Sequence, residues 1–268
     1  MKKMIFAGCL MAGASVFAQA GETDSLKVVN LQEVQIVSTR ATSKTPVAFT
    51  NVSKEELKKQ NFGQDIPFLL SMTPSALTTS DAGAGIGYTT LRVRGTDGTR
   101  INITTNGIPM NDAESHTLFW VNMPDFASSV KDIQVQRGAG TSTNGAGAFG
   151  ASVNMQTEGI SMQPYAEINA SYGSFNAHKE TVKFGTGLLK DHWAFDARLS
   201  NIGTDGYIDR ASVDLNSYYL QGGYFAENTS VKLIAFAGKE KTYHAWGYAT
   251  KEQMEEFGRR YNPCGEIY

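Results

Sequence analysis

From Pro164 onward the chain alternates. Ala166, Ile168, Ala170 and Tyr172 are spaced by Glu167, Asn169 and Ser171; Val182 and Phe184 alternate with Thr181 and Lys183. Trp193, Phe195, Ala197 and Leu199 alternate with Ala194, Asp196, Arg198 and Ser200. A period of two marks strands with one apolar face. Tyr218, Leu220, Gly222 and Tyr224 follow the same rule less cleanly, and residues 230–238 are ambiguous because both faces are apolar. Each run is about ten residues, the length a tilted strand needs to cross a bilayer. Leu189-Lys190-Asp191 and Glu227-Asn228-Thr229 read as tight connections, whereas Gly203 to Val213 and the stretch from Lys239 read as long ones. A soluble secreted sandwich also alternates. Strand length, aromatic ends and short turns opposite long loops favour an outer-membrane barrel.

Residues 21–160 follow a different grammar, that of a small mixed domain. Ser53-x-x-Glu56 before Leu57 is a capping box opening a short helix to about Gln60. A second helix is expected from Asp65 to Met72, with Pro67 in its first turn and Pro74 ending it. Thr90–Arg94, Arg100–Thr104 and Asp132–Arg137 read as strands, and Leu31–Thr39 as an extended segment. Gly145-x-Gly147-x-x-Gly150 has the letters of a dinucleotide loop. That fingerprint needs a helix after it, and Ala151 to Thr157 alternates like a strand instead. The glycines are therefore assigned to a tight turn and not to phosphate.

At the N-terminus, Lys2 and Lys3, the apolar run Met4–Phe17 and Ala18-Gln19-Ala20 make a secretory signal peptide, residues 1–20. The near-neutral balance, 24 Lys and Arg against 26 Asp and Glu, shows no basic stripe and argues against nucleic acid. With Cys9 removed, Cys264 stands alone near the end, and its partner is expected further along a longer chain. His116, His178, His192 and His244 have no ligand spacing, and no Ser, His and Asp grouping suggests a triad. Neither an enzyme, a metal site nor a cofactor is expected.

"LRVRGTDGTRINITTNGIPMND", "VKDIQVQRGAGTSTNGAGAFGASVNMQT" and the helix before them, in this order, resemble the plug domain of TonB-dependent outer-membrane receptors. The matching elements are Arg94-Gly95, Asn106-Gly107-Ile108-Pro109 and Ile133 to Thr157; Asn106 stands where the family usually has Asp, and Ser75 where Gly is common. The resemblance implies an α+β plug domain followed by antiparallel transmembrane β-barrel strands, an incomplete barrel beside the family's about 22 strands. It divides the chain into a signal peptide, a periplasmic segment at 21–40, a plug at 41–160 and the first barrel strands at 161–268.

The same resemblance places a TonB-box-like stretch at Glu33, Val34, Gln35, Ile36, Val37, Ser38 and Thr39, which would add as a strand to a TonB-type periplasmic energy-transducing protein. Asn111, Asp112, Glu114, His116, Phe119 and Trp120 form a polar, aromatic loop suited to substrate contact or to burial of its aromatics. Arg92, Arg94 and Arg137 are expected as structural charges lining the contact between plug and barrel. The implied function is import of a scarce solute across the outer membrane of a Gram-negative bacterium, the solute a ferric siderophore, haem, cobalamin or glycan. The alternative is a secreted adhesive or carbohydrate-binding β-protein.

Overall fold

The computed structural model describes residues 39–140, 144–145, 147–243, 245 and 247–265. The expected signal peptide and residues 33–38 of the box-like stretch lie outside the described residues.

The first part is a mixed domain. Strand β1 (Ala48–Ser53) runs into helix α1 (Lys54–Gln60), and the capping box is formed: Glu56 N donates to Ser53 Oγ (3.3 Å) and Ser53 N to Glu56 Oε2 (2.8 Å). Helix α2 is shorter than the sequence suggests, Ile66–Leu69. It ends early because Leu70 N already donates to both Ile66 O and Pro67 O, and Thr73 N to Leu70 O, so the chain tightens into turns before Pro74. Strands β2 (Ala76–Ser80) and β3 (Thr89–Val93) form a hairpin. Then follow β4 (Ile101–Thr105), the short β5 (Ile108–Pro109), β6 (Val130–Arg137) and β7 (Ala151–Thr157). They make a sheet of order β1-β6-β7-β4-β5, antiparallel except for the parallel pair β4–β7.

Alternation divides this sheet into two faces. Ile101, Ile103, Ile133, Val135, Val153 and Met155 point into a core completed by Leu57, Leu69, Leu70, Val93, Trp120 and Phe126. Gln134, Gln136, Ser152, Asn154 and Thr104 occupy the other face and are also buried, so this side of the sheet is polar.

The glycine loop behaves as the sequence implied. Gly138 N donates to Gly150 O and Gly150 N to Arg100 O, both at 2.8 Å, and β7 starts at the next residue. A Cβ at position 150 would overlap Thr96 Oγ1, which is the physical reason for a glycine there.

The second part is a five-stranded antiparallel meander: β8 (Pro164–Tyr172), β9 (His178–Thr186), β10 (Trp193–Thr204), β11 (Val213–Ala226) and β12 (Thr229–Thr242). A plug domain followed by antiparallel strands in an unclosed sheet is the fold that the sequence led us to expect. The connection Glu227-Asn228 is a tight hairpin and residues 205–212 a longer one. Lys239 lies inside β12, which continues to Thr242, so the loop expected from Lys239 starts later. That loop carries a third helix, α3 (Lys251–Phe257), capped by Thr250 and Gln253.

One face of the meander packs on the plug, and the other presents Ile168, Phe184, Phe195, Leu199, Leu220 and Leu233, all exposed. Strand β12 was ambiguous because its inward residues Ile234 and Phe236 are apolar too: they pack against the plug core. Among the described residues no helix is long and apolar enough to cross a membrane.

Candidate functional site

The plug meets the wall strands at Asp125. Its backbone is left-handed (φ 48°), and it precedes a short 3-10 turn, residues 126–129. That geometry sends Phe126 one way, against Tyr219 (6.2 Å between ring centroids) and Phe236 (4.9 Å), and the Asp125 carboxylate the other. The carboxylate accepts from Lys179 Nζ (2.8 Å), Ser128 Oγ (2.7 Å) and Ser200 Oγ (2.6 Å), and pairs with Arg198 at 3.4 Å. Arg198 also donates to the Asp125 carbonyl, and Lys179 Nζ donates to Asn61 Oδ1 at 2.8 Å. Burial works against the charged form; the Arg198 and Lys179 charges and the hydrogen bonds outweigh it, leaving the Asp125 carboxyl below its usual range. Removing one partner of such a buried group costs about 3–5 kcal/mol, so this is a firm joint.

A second joint lies where β7 leaves the plug. Glu158 accepts from Lys54 Nζ (3.0 Å) on α1 and from Lys183 Nζ (3.2 Å) on β9, and its carbonyl accepts from Lys232 Nζ (3.3 Å) on β12. Lys58 on α1 reaches Glu167 on β8 at 2.8 Å.

These contacts correct the expectation for the arginines. Arg137 donates to Thr50 Oγ1 (2.6 Å) within the plug sheet, and Arg92 and Arg94 are exposed. At Asp125 and Glu158 the plug supplies the carboxylate and the wall the cations, whereas Lys58 of the plug reaches Glu167 of the wall. Lys183 and Arg198 were legible as inward positions from the alternation of β9 and β10, and Lys179 falls on the same face of β9. Asp125 was not, because it sits in an irregular connection with no periodicity.

Of the expected substrate loop, Asn111 is spent on main chain: Oδ1 accepts from Ile103 N (2.8 Å) and Nδ2 donates to Ile101 O (2.9 Å) and His116 O (3.0 Å). Asp112 Oδ1 accepts from Ser115 N (2.7 Å), Ser115 Oγ (2.9 Å) and Glu114 N (3.0 Å), and these bonds, the Ser115 amide first, lower its pKa. Glu114 and His116 are exposed, the latter at φ 59°. Phe119 is 46 % exposed and Trp120 only 3 %. Phe119 and Trp120 line a crevice of about 240 Å³ together with Tyr88, Arg92, Asp97 and Thr117. The structure thus brings Phe119 and Trp120 to one concavity, while Asn111 and Asp112 shape the loop behind it.

In the box-like stretch Thr39 alone is described; its carbonyl accepts from Gln136 Nε2 at 2.8 Å. Among the described residues no group of three or more His, Cys, Asp or Glu is placed to hold a metal ion. The Cys264 thiol accepts from Gly247 N at 2.9 Å.

Residues 41–152 match the family model described as TonB-dependent Receptor Plug Domain. Several solved structures share the fold. The ferripyoverdine receptor of the outer membrane of Pseudomonas aeruginosa aligns with a TM-score of 0.63 at 16% identity, over 76% of this chain and 27% of its own. The ferric yersiniabactin uptake receptor of Yersinia pestis aligns at 0.59 and 16%, over 75% and 32%. A copper transporter aligns at 0.60 and 18%, over 74% and 32%. This chain spans about a third or less of the length of these structures. No curated protein matches it by sequence. The matched domain and these structures are receptors and transporters, not enzymes.

Proposed function

We propose that this chain, which carries the plug domain of the TonB-dependent receptors at residues 41–152, works in the outer membrane of a Gram-negative bacterium to import a scarce solute. The observation that carries the reading is the shared core of plug and wall. Phe126 of the plug is enclosed by Tyr219 and Phe236 of the meander, while the opposite face of those strands is apolar and exposed. A strand face of that kind suits hydrocarbon, and a plug seated on its inner side suits a gated passage.

The crevice at Phe119 and Trp120 is the proposed solute contact, and a metal chelate is the solute class favoured by the similar receptors. Residues 33–39 are proposed to join the sheet edge of a TonB-type periplasmic protein by main-chain hydrogen bonds. Proline removes such a donor and fixes φ. Ile36→Pro is therefore expected to abolish uptake while cells still bind solute at their surface, and Ile36→Val to transport normally. Growth of a deletion strain on single iron, copper, cobalamin or glycan sources identifies the solute for this assay. Unchanged uptake by Ile36→Pro would remove the energy-coupling role from this segment; loss of surface binding as well would make residue 36 part of the folded plug.

A further inference from the structure

The outward face of the meander changes character along one line. Across β9 to β12, Val182, Leu199, Tyr218 and Ala237 lie opposite one another as an exposed apolar row. The next outward row is Glu180, Asn201, Asn216 and Lys239, all polar, and beyond it Asp214 faces Lys241. These polar rows stand at the strand ends that lead into residues 205–212 and on past Thr242, the long connections; the tight hairpin Glu227-Asn228 closes the other end. In an outer-membrane barrel long connections are extracellular and short turns periplasmic. The line is therefore the level at which outer-leaflet hydrocarbon gives way to headgroups.

A groove of about 620 Å³ straddles that line, and both rows line it. Ala237, the smallest side chain of the apolar row, leaves room opposite Tyr218. The polar side is rich in donors. Lys239 and Lys241 are exposed, and neither is ion-paired with a described residue. Asn201 Nδ2 donates to Asn216 Oδ1 (2.9 Å) and Asn216 Nδ2 to Asp214 Oδ1 (3.2 Å). Each amide nitrogen carries two protons, so each keeps a second N–H. The groove's carboxylate, Glu180, stands three strands from Lys239, about 14 Å at the usual strand spacing. An apolar trough beneath ammonium and amide donors, at headgroup depth, fits an acyl chain beneath a phosphate.

We propose that this groove binds a phosphorylated lipid of the outer leaflet. Lys239, Lys241 and the Asn216 amide hold the phosphate, and an acyl chain lies against Leu199 and Tyr218. The inference rests on the outer-membrane reading proposed above. A lysine beside an anionic headgroup contributes about fivefold to binding, so the pair sets the choice of headgroup and the apolar row only the depth of the chain.

The test uses the full chain in phosphatidylcholine nanodiscs. They are doped with either phosphatidic acid or phosphatidylcholine that carries a diazirine on one acyl chain, and the crosslinks are mapped by mass spectrometry. Phosphatidic acid is the probe because its headgroup is a bare phosphate monoester. It should label residues 199, 218 and 237 several-fold more than the phosphatidylcholine probe does. The two probes should label Phe195 and Leu233, on the same face but away from the groove, equally. Lys239→Gln combined with Lys241→Gln should remove the enrichment, and the same two positions changed to arginine should keep it. Equal labelling of the groove by both probes would overturn the site. Enrichment that survives the loss of both lysines would overturn their role. Ala237→Trp, which fills the groove, should lower labelling at Leu199, and no change there would overturn the placing of the chain. If neither probe labels any residue of this face, Phe195 and Leu233 included, the outer-membrane reading itself falls.

Discussion

Ser75 and Asn106, the two residues that depart from the family pattern, share a conformation. Ser75 has φ 67° and Asn106 φ 51°, both left-handed. Asn106 is suited to it: asparagine tolerates this region, and its side chain accepts from Thr157 N (3.0 Å) and donates to Thr157 Oγ1 (2.9 Å), tying the β4–β5 turn to the end of β7. At Ser75 the main chain carries the constraint, since its carbonyl accepts from Arg94 N (3.0 Å). Glycine would relieve that backbone at some cost in unfolded-state entropy. Ser75→Gly should raise stability by about 0.5–1 kcal/mol, read as a shift of the denaturant midpoint. No gain would mean the left-handed turn carries no strain there.

Asp65, before α2, poses the opposite problem to Asp125. Burial raises its carboxyl well above the usual carboxylate range, although Thr89 Oγ1 donates to it at 2.7 Å, and Glu240 and Asp125 add repulsion. A carboxyl whose folded pKa is raised penalises the fold once ionised. The penalty is absent below the unfolded pKa, grows as pH rises towards the folded one, and stays in force above it. Asp65→Asn should therefore raise the melting temperature at neutral pH, and the gain should vanish near pH 3.8, the ordinary value for the group. An equal effect at both ends of a pH series would contradict this account.

At the scale of elements, the wall strands do two jobs with two faces. Leu220 lies mid-strand, opposite Ala197 on β10 and Ala235 on β12, and points outward. Leu220→Arg should cost about 2–4 kcal/mol of folding free energy in a bilayer, because a cation at the mid-plane meets hydrocarbon, while Asn216→Arg near the strand end should cost about 0–1. Equal costs at both sites would mean that the outward face sees water. This alternation was the most legible feature of the sequence, since period two survives in nearly every wall strand. Strand β12 hid its direction because lipid and plug core both demand apolar residues. Strands β1 and β2 were not legible: AFTNVS and ALTTS are short and mixed, and tertiary pairing, with β6 and β3 respectively, makes them strands. Gln134 and Gln136 were visible as the polar half of an alternating strand, but nothing in their spacing says that the main chain of Thr39 and Ala41 is hydrogen-bonded to them.

For the whole molecule, plug and wall are one packed body in the described residues, joined by the Phe126 contacts, by the Asp125 charges and by Glu158 at the exit of β7. Ordered motifs made the plug legible in the sequence; of the charges that bind it to the wall, Asp125 and Glu158 lie in irregular connections and needed the structure. The central claim is that the exposed apolar face meets lipid. Nitroxide labels placed singly at residues 218–221 of the full chain, in its native membrane, test it most directly. The account predicts that labels at 218 and 220 collide freely with oxygen and hardly at all with a polar nickel chelate, while labels at 219 and 221 are shielded from both. Ready collision of the nickel chelate with residues 218 and 220 would contradict it and return the chain to a water-exposed β-protein.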